Sequence, residues 1–148
     1  MFTEIISFLV VSATYASYLN APRDVTVNIT PNNNQISINF TINSNNSSNT
    51  TTSRDLKSLS VKDQNGDEIF YAILSNGIVE IRNNSRYGNR VNVVKKSGNG
   101  NRYTLVIRNM TIADEGEIIG HVLYEQTDDV DTVEYFVERT VVHITVQG

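Results

Sequence analysis

The 148-residue chain has no cysteine, no tryptophan, only two histidines and only two prolines. Without cysteine there is no disulfide, no thiolate nucleophile and no thiolate metal site. His121 and His143 fall short of the three or four ligands that zinc takes. Nothing places a serine against either histidine as acyl-transfer chemistry requires. Both histidines sit on the outward phase of strands, and hairpin register about Val130 expects His121 opposite about Glu138. Basic residues are scarce too: 12 Lys plus Arg stand against 16 Asp plus Glu, a net charge of −4. The signs are mixed, so there is no basic stripe for nucleic acid, and no apolar run is long enough to span a membrane. Acidic clusters do not change this. Around Asp63, Asn65, Asp67 and Glu68, Gly66 is misplaced for a calcium loop. Asp128, Asp129 and Asp131 fit an exposed hairpin tip. The chain is expected to be non-enzymatic, with no cofactor and no metal.

What is present is strand periodicity. Val25, Val27 and Ile29 alternate with polar residues, and so do Ile36, Ile38, Phe40 and Ile42, which leaves Asn28 and Asn39 on the polar phase. Such alternation marks half-buried strands. LKSLSVKDQNGDEIFYAI holds two strands about an Asn65-Gly66 turn, the first apolar through Leu59 and Val61 and the second through Ile69, Tyr71 and Ile73. Further strands follow at the short spacing of a sandwich or barrel, ending in two long ones joined by the acidic loop TDDVDT. Nine strands are expected after Asn20. The run NSNNSSNTTTSR between the second and third has no apolar residue and is expected to be a loop.

Seven positions match Asn-x-Ser/Thr: Asn28, Asn39, Asn45, Asn46, Asn49, Asn83 and Asn109. That is about twice what the Asn, Ser and Thr content gives by chance, and it points to N-linked glycans and an extracellular location. The N-terminus has two readings. MFTEIISFLVVSATYAS resembles a signal peptide cleaved after Ala16, although Glu4 stands where a basic residue is usual. EIISFLVV also fits a retained β-strand. The division expected is 1–16 signal-like or N-terminal strand, 17–24 linker and 25–148 one domain.

The segment Leu105-x-Ile107-x-x-Met110-x-x-x-Asp114-x-Gly116-x-Ile118-x-Gly120 resembles the E–F region of an immunoglobulin variable-type domain, and Arg90 matches the arginine which that family pairs with the aspartate. The resemblance implies an all-β, antiparallel, two-sheet Greek-key sandwich of about nine strands and an Arg90–Asp114 ion pair. It also marks the departures. Phe40 and Gly120 stand at the two cysteine positions, Leu59 near the usual core tryptophan, and Ile118 in place of the corner tyrosine. A large residue facing a glycine can fill the volume of two half-cystines.

The resemblance further implies that the GFCC′ sheet face is a pairing surface. Apolar residues on its outward phase, namely Ile119, Leu123, Tyr135 and Val137, with Phe70 breaking the alternation on C′, fit a protein partner, either homotypic or a cell-surface receptor. Two functions follow: recognition or adhesion by a glycosylated extracellular domain, or a filament subunit that donates residues 4–11 to a neighbour's sheet edge. Removal of the N-terminal segment is compatible with the first alone.

Overall fold

A computed structural model describes residues 18–43, 53–96 and 101–148. Residues 1–16, and with them both readings of the N-terminus, lie outside the described residues, as do Asn45, Asn46 and Asn49. Ten strands are described: β1 (Leu19–Asn20), β2 (Asp24–Asn28), β3 (Ile36–Ile42), β4 (Ser53–Asp63), β5 (Glu68–Ile73), β6 (Val79–Ile81), β7 (Val91–Lys96), β8 (Asn101–Ile107), β9 (Gly116–Thr127) and β10 (Val133–Gln147). Among the described residues the helical content is one 3-10 turn, Ile112–Asp114, between β8 and β9.

The strands form two sheets, in the order β1-β3-β8-β7 and β2-β10-β9-β4-β5-β6. All pairings are antiparallel except β2 with β10. This is the strand order of a variable-type immunoglobulin sandwich, including the extra hairpin β5–β6. The chain crosses between sheets near its start: β1 pairs with β3 of one sheet and β2 with β10 of the other. Of the expected linker 17–24, residues 18–24 are described, and they carry β1 and the start of β2. Tyr18 and Leu19 are buried, and their backbone N–H groups donate to the two carboxylate oxygens of Glu138 at 2.8 and 3.0 Å. A two-residue strand carries too little alternation to be seen in a sequence.

The core lies between the sheets. Ile36, Ile38, Phe40 and Ile42 of β3 and Tyr103, Leu105 and Ile107 of β8 face Leu59 and Val61 of β4 and Ile118 and Val122 of β9, all buried. Phe40 meets Phe70 edge-on with ring centroids 6.2 Å apart, so the pair contributes on top of its buried area. Phe70 thus belongs to the core and not to a partner surface. The β4–β5 register explains the error: it shifts between Val61 and Lys62, setting Phe70 opposite Val61 and Glu68 opposite Lys62. Phe70 and Ala72 then share the inward face with Leu59 and Val61, whereas Tyr71 and Ile73 point outward. Ile69, the extra residue, is also buried.

Phe40 and Gly120 lie against each other. A Cβ on Gly120 would sit 3.1 and 3.3 Å from two ring carbons of Phe40 and 3.3 Å from Leu19 Cδ2. The ring occupies the space that a side chain at position 120 would need.

The lower corner is held by charge. Arg90 Nη1 and Nη2 donate to Asp114 Oδ2 and Oδ1 at 2.8 and 2.9 Å, and Nη1 also reaches the Asn109 carbonyl at 3.0 Å. Asp114 accepts the Thr111 N–H at 2.8 Å as well. The Arg90 hydrogen bonds hold its carboxyl below the usual range, against the opposing effect of burial. Gly116, two residues on, has φ of 156°, and a Cβ there would strike the Gln64 amide and the Arg86 guanidinium. The Asp-x-Gly pattern is thus an ion-pair acceptor followed by a residue whose positive φ favours glycine.

Two buried groups escape sequence reasoning. Tyr87, inside the polar run NNSRYGN, is fully buried beneath the guanidinium groups of Arg86 and Arg90, 5.6 and 5.9 Å from the ring centroid. Burial pushes its hydroxyl pKa up to about 12. Asp63 is fully buried too, and accepts N–H bonds from Asn65 and Asp67 at its own turn and from Arg86 across the loop, at 2.9, 3.0 and 2.8 Å.

Candidate recognition face

The outer face of the six-stranded sheet is built in cross-strand rows, because residues that face each other in register point the same way. Val137, Leu123, Ser58 and Ile73 form one row. The next is Arg139, His121, Ser60 and Tyr71, and beyond it lie Val141, Ile119 and Lys62. Towards the β9–β10 hairpin, Tyr135 faces Glu125, which faces Asp55. Lys57 binds both acids, at 2.8 Å to Asp55 and 3.6 Å to Glu125. A charged row therefore closes the patch on that side.

Of the expected partner residues, Tyr135 and Val137 are 64% and 61% exposed. Ile119 and Leu123 are half-buried between their neighbours. Val133 extends the exposed row along β10. Apolar side chains that stand out from a sheet without packing on the core form a surface ready to lose water against a partner.

His121 sits in the middle of this face. It pairs with Arg139, one position beyond the expected Glu138, because the register is centred on Val130 without a shift. It is also less exposed than its outward phase implied: the ring is half-buried and Nδ1 is enclosed without a protein partner. Burial first, and then the nearby charges of Lys62 and Arg139, lower its pKa below 6.5. The ring is uncharged at neutral pH. His143 faces Glu117 near the other end of β10, with Nδ1 3.2 Å from the carboxylate, so the two histidines do not converge. Ser60 lies beside His121 but donates its hydroxyl to Glu68 Oε2 at 2.7 Å. Among the described residues no group of three His, Cys, Asp or Glu side chains has metal-binding geometry.

The described sequons lie away from these rows. Asn28, Asn39, Asn83 and Asn109 are all exposed, whereas β4, β5, β9 and β10 contain no asparagine. Asn39 stands exposed on the outer face of the four-stranded sheet, its Oδ1 accepting the Thr104 hydroxyl at 2.7 Å. Asn109 has φ of 54° in the turn before the 3-10 segment.

Solved immunoglobulin-type structures share this backbone. Murine CRIg matches with a TM-score of 0.58 and 15% sequence identity, over 88% of this chain and 97% of that one. The Ig1 domain of mouse SynCAM 2 matches with a TM-score of 0.51 and 12% identity, over 90% and 98%. No family model matches the sequence, and no curated protein matches it.

Proposed function

We propose that this chain, which has the variable-type immunoglobulin fold, is a non-enzymatic extracellular recognition or adhesion domain that carries N-linked glycans and binds a protein through the outer face of β10, β9, β4 and β5. The observation that carries this reading is the exposed apolar row Val133, Tyr135 and Val137, continued by Leu123 and Ile119, on strands with no asparagine. A glycan attached at Asn39, Asn83 or Asn109 leaves those strands uncovered. The structural likeness to CRIg and SynCAM 2 supports a recognition domain in general terms. The rival reading, a filament subunit that donates residues 4–11, rests on a segment outside the described residues.

The test is expression in secreting eukaryotic cells. An N-terminus near Ser17 and a loss of mass on N-glycosidase treatment are expected, with binding to a protein partner on cells abolished by Leu123→Glu and unaffected by Asn92→Asp on the other sheet. Unchanged mass after the glycosidase overturns the glycosylated extracellular reading. Polymers whose subunits retain Ile5 to Val11 establish the filament instead.

A further inference from the structure

The outer edge of β10 is unevenly used. β9 pairs with the inner edge over Val133 to Ile144, but β2 covers the outer edge only over His143 to Gln147. Among the described residues no strand pairs with the outer edge from Val133 to Val141. The direction of the backbone groups follows from the covered part. The His143 N–H donates to the Arg23 carbonyl at 2.8 Å, and the Gln147 carbonyl accepts the Ile29 N–H at 2.7 Å. Odd-numbered residues thus point their amides to the open side, and the two-residue period of a strand extends this to Val133, Tyr135, Val137, Arg139 and Val141.

The other ends of both sheets are protected. β1 has two residues and β6 three, and β7 carries Lys95 and Lys96. Short strands and lysines are the usual protections against edge pairing. The stretch VEYFVERTV has neither proline nor lysine, and its register with β9 has no bulge. Among the described residues it is a long edge whose odd-numbered backbone donors and acceptors meet no other strand.

We infer that a second copy of this chain pairs with it, β10 against β10, antiparallel about a two-fold axis through Val137, so that two six-stranded sheets join into one. The sequence is self-complementary in that register. On the outer face Val137 meets Val137 of the second copy, Tyr135 meets Arg139, and Val133 meets Val141. Aliphatic pairs and an arginine beside an aromatic ring are favourable neighbours across strands. On the inner face Phe136 lies opposite Glu138, whose carboxylate stays on the Tyr18 and Leu19 N–H groups, and Glu134 lies opposite Thr140, so no like charges oppose each other. Alternative centres are worse. Centring on Arg139 stacks two guanidinium groups and requires His143, already held by β2. Centring on Tyr135 draws in Asp131, whose φ of 64° takes it out of the strand. Centring on an even-numbered residue points that residue's amides to β9. A two-fold axis also closes the assembly at a dimer. This pairing uses the edge of the sheet, so it stands or falls separately from recognition by Leu123 and Ile119 on the face.

Because the wild-type chain has no cysteine, single cysteines give a clean readout. Directly opposed residues in an antiparallel hydrogen-bonded pair have Cα atoms about 5.5 Å apart, within disulfide reach. Secreted Val137→Cys is expected to run as a disulfide-linked dimer. Val94→Cys, at an exposed position on the other sheet, and Leu123→Cys are expected to form no disulfide-linked dimer without reductant. The wild type is expected to show concentration-dependent dimerisation by sedimentation. Val137→Pro, which removes an N–H from the open side only, is expected to weaken it at least about tenfold while keeping the circular dichroism of the fold. Linkage of Leu123→Cys but not Val137→Cys overturns the inference in favour of a face-to-face dimer and leaves the recognition reading standing. A wild type that is monomeric at its highest soluble concentration overturns it, as does dimerisation lost on deleting residues 1–16 under a foreign signal, which assigns the edge to the N-terminal strand.

Discussion

Gly120→Leu tests the central packing of the sandwich. A Cβ at position 120 already comes within 3.1 Å of the Phe40 ring and 3.3 Å of Leu19 Cδ2, and leucine adds three further carbons against these buried side chains. Overpacking of this kind costs about 1–3 kcal/mol. Phe40→Ala alone, which empties a fully buried position, costs about 3–5 kcal/mol. If the two residues fill one volume, the double variant has room for its leucine. Its destabilisation should then fall short of the summed single effects by about 1–2 kcal/mol, within the range seen for residues in contact. Gly120→Ala should be near neutral: leaving glycine in a strand gains about 0.5–1 kcal/mol, offset by the close approach to Phe40 and Leu19. Urea melts read by tyrosine emission suit the chain, which has seven tyrosines and no tryptophan to mask them. Additivity of the two single substitutions within about 0.5 kcal/mol would refute the shared-volume account.

Arg90→Leu leaves the buried Asp114 carboxylate without its bidentate partner and should cost about 2–4 kcal/mol in the same melts. The wild-type pair should also show in acid. Because the folded Asp114 pKa lies below 3.8, its stabilisation is fully present above that value and lost as pH falls through the folded pKa, a loss that thermal melts should find reduced in Arg90→Leu. His121 acts at higher pH: its folded pKa is depressed below 6.5, so its contribution is present above 6.5 and lost as pH falls through the folded value. His121→Gln should flatten the melting temperature between pH 7 and pH 5, and an unchanged slope would count against a half-buried neutral ring. Asp63→Ala strands three backbone donors and should cost at least about 1–3 kcal/mol; hydrogen exchange should show the Asn65 and Asp67 amides losing protection.

Much of the sandwich was legible because β3 and β8 alternate cleanly, so Ile36, Ile38, Phe40 and Ile42 declare their buried face. The corner was legible because an ion-pair acceptor followed by glycine leaves a pattern at fixed spacing. β5 was not: EIFYAI is apolar at nearly every position, so only the pairing with β4, and the bulge within it, decides that Phe70 turns inward. Tyr87 was hidden for the opposite reason, as a single aromatic in a polar run whose burial depends on two arginines folding over it. The role of Asp63 was invisible because it bonds to backbone N–H groups, which every residue but proline carries. On the candidate face, Leu123 and Ile119 were found by phase. The open edge of β10 was not, because strand neighbours are a property of topology and β2 stops short of it.

With Phe40 and Gly120 where half-cystines would be, the folded state has no covalent bond that depends on an electron acceptor. Thiol reductants should leave its melting temperature unmoved, and the chain should reach its native sandwich in a reducing bacterial cytoplasm without an oxidase or a disulfide isomerase. The rate of folding is then set by bringing distant strands together, such as β2 and β10 from opposite ends of the chain, with no wait for sulfur chemistry. Cysteine also becomes a free reporter in this framework, since any thiol introduced on the surface is the only one in the molecule.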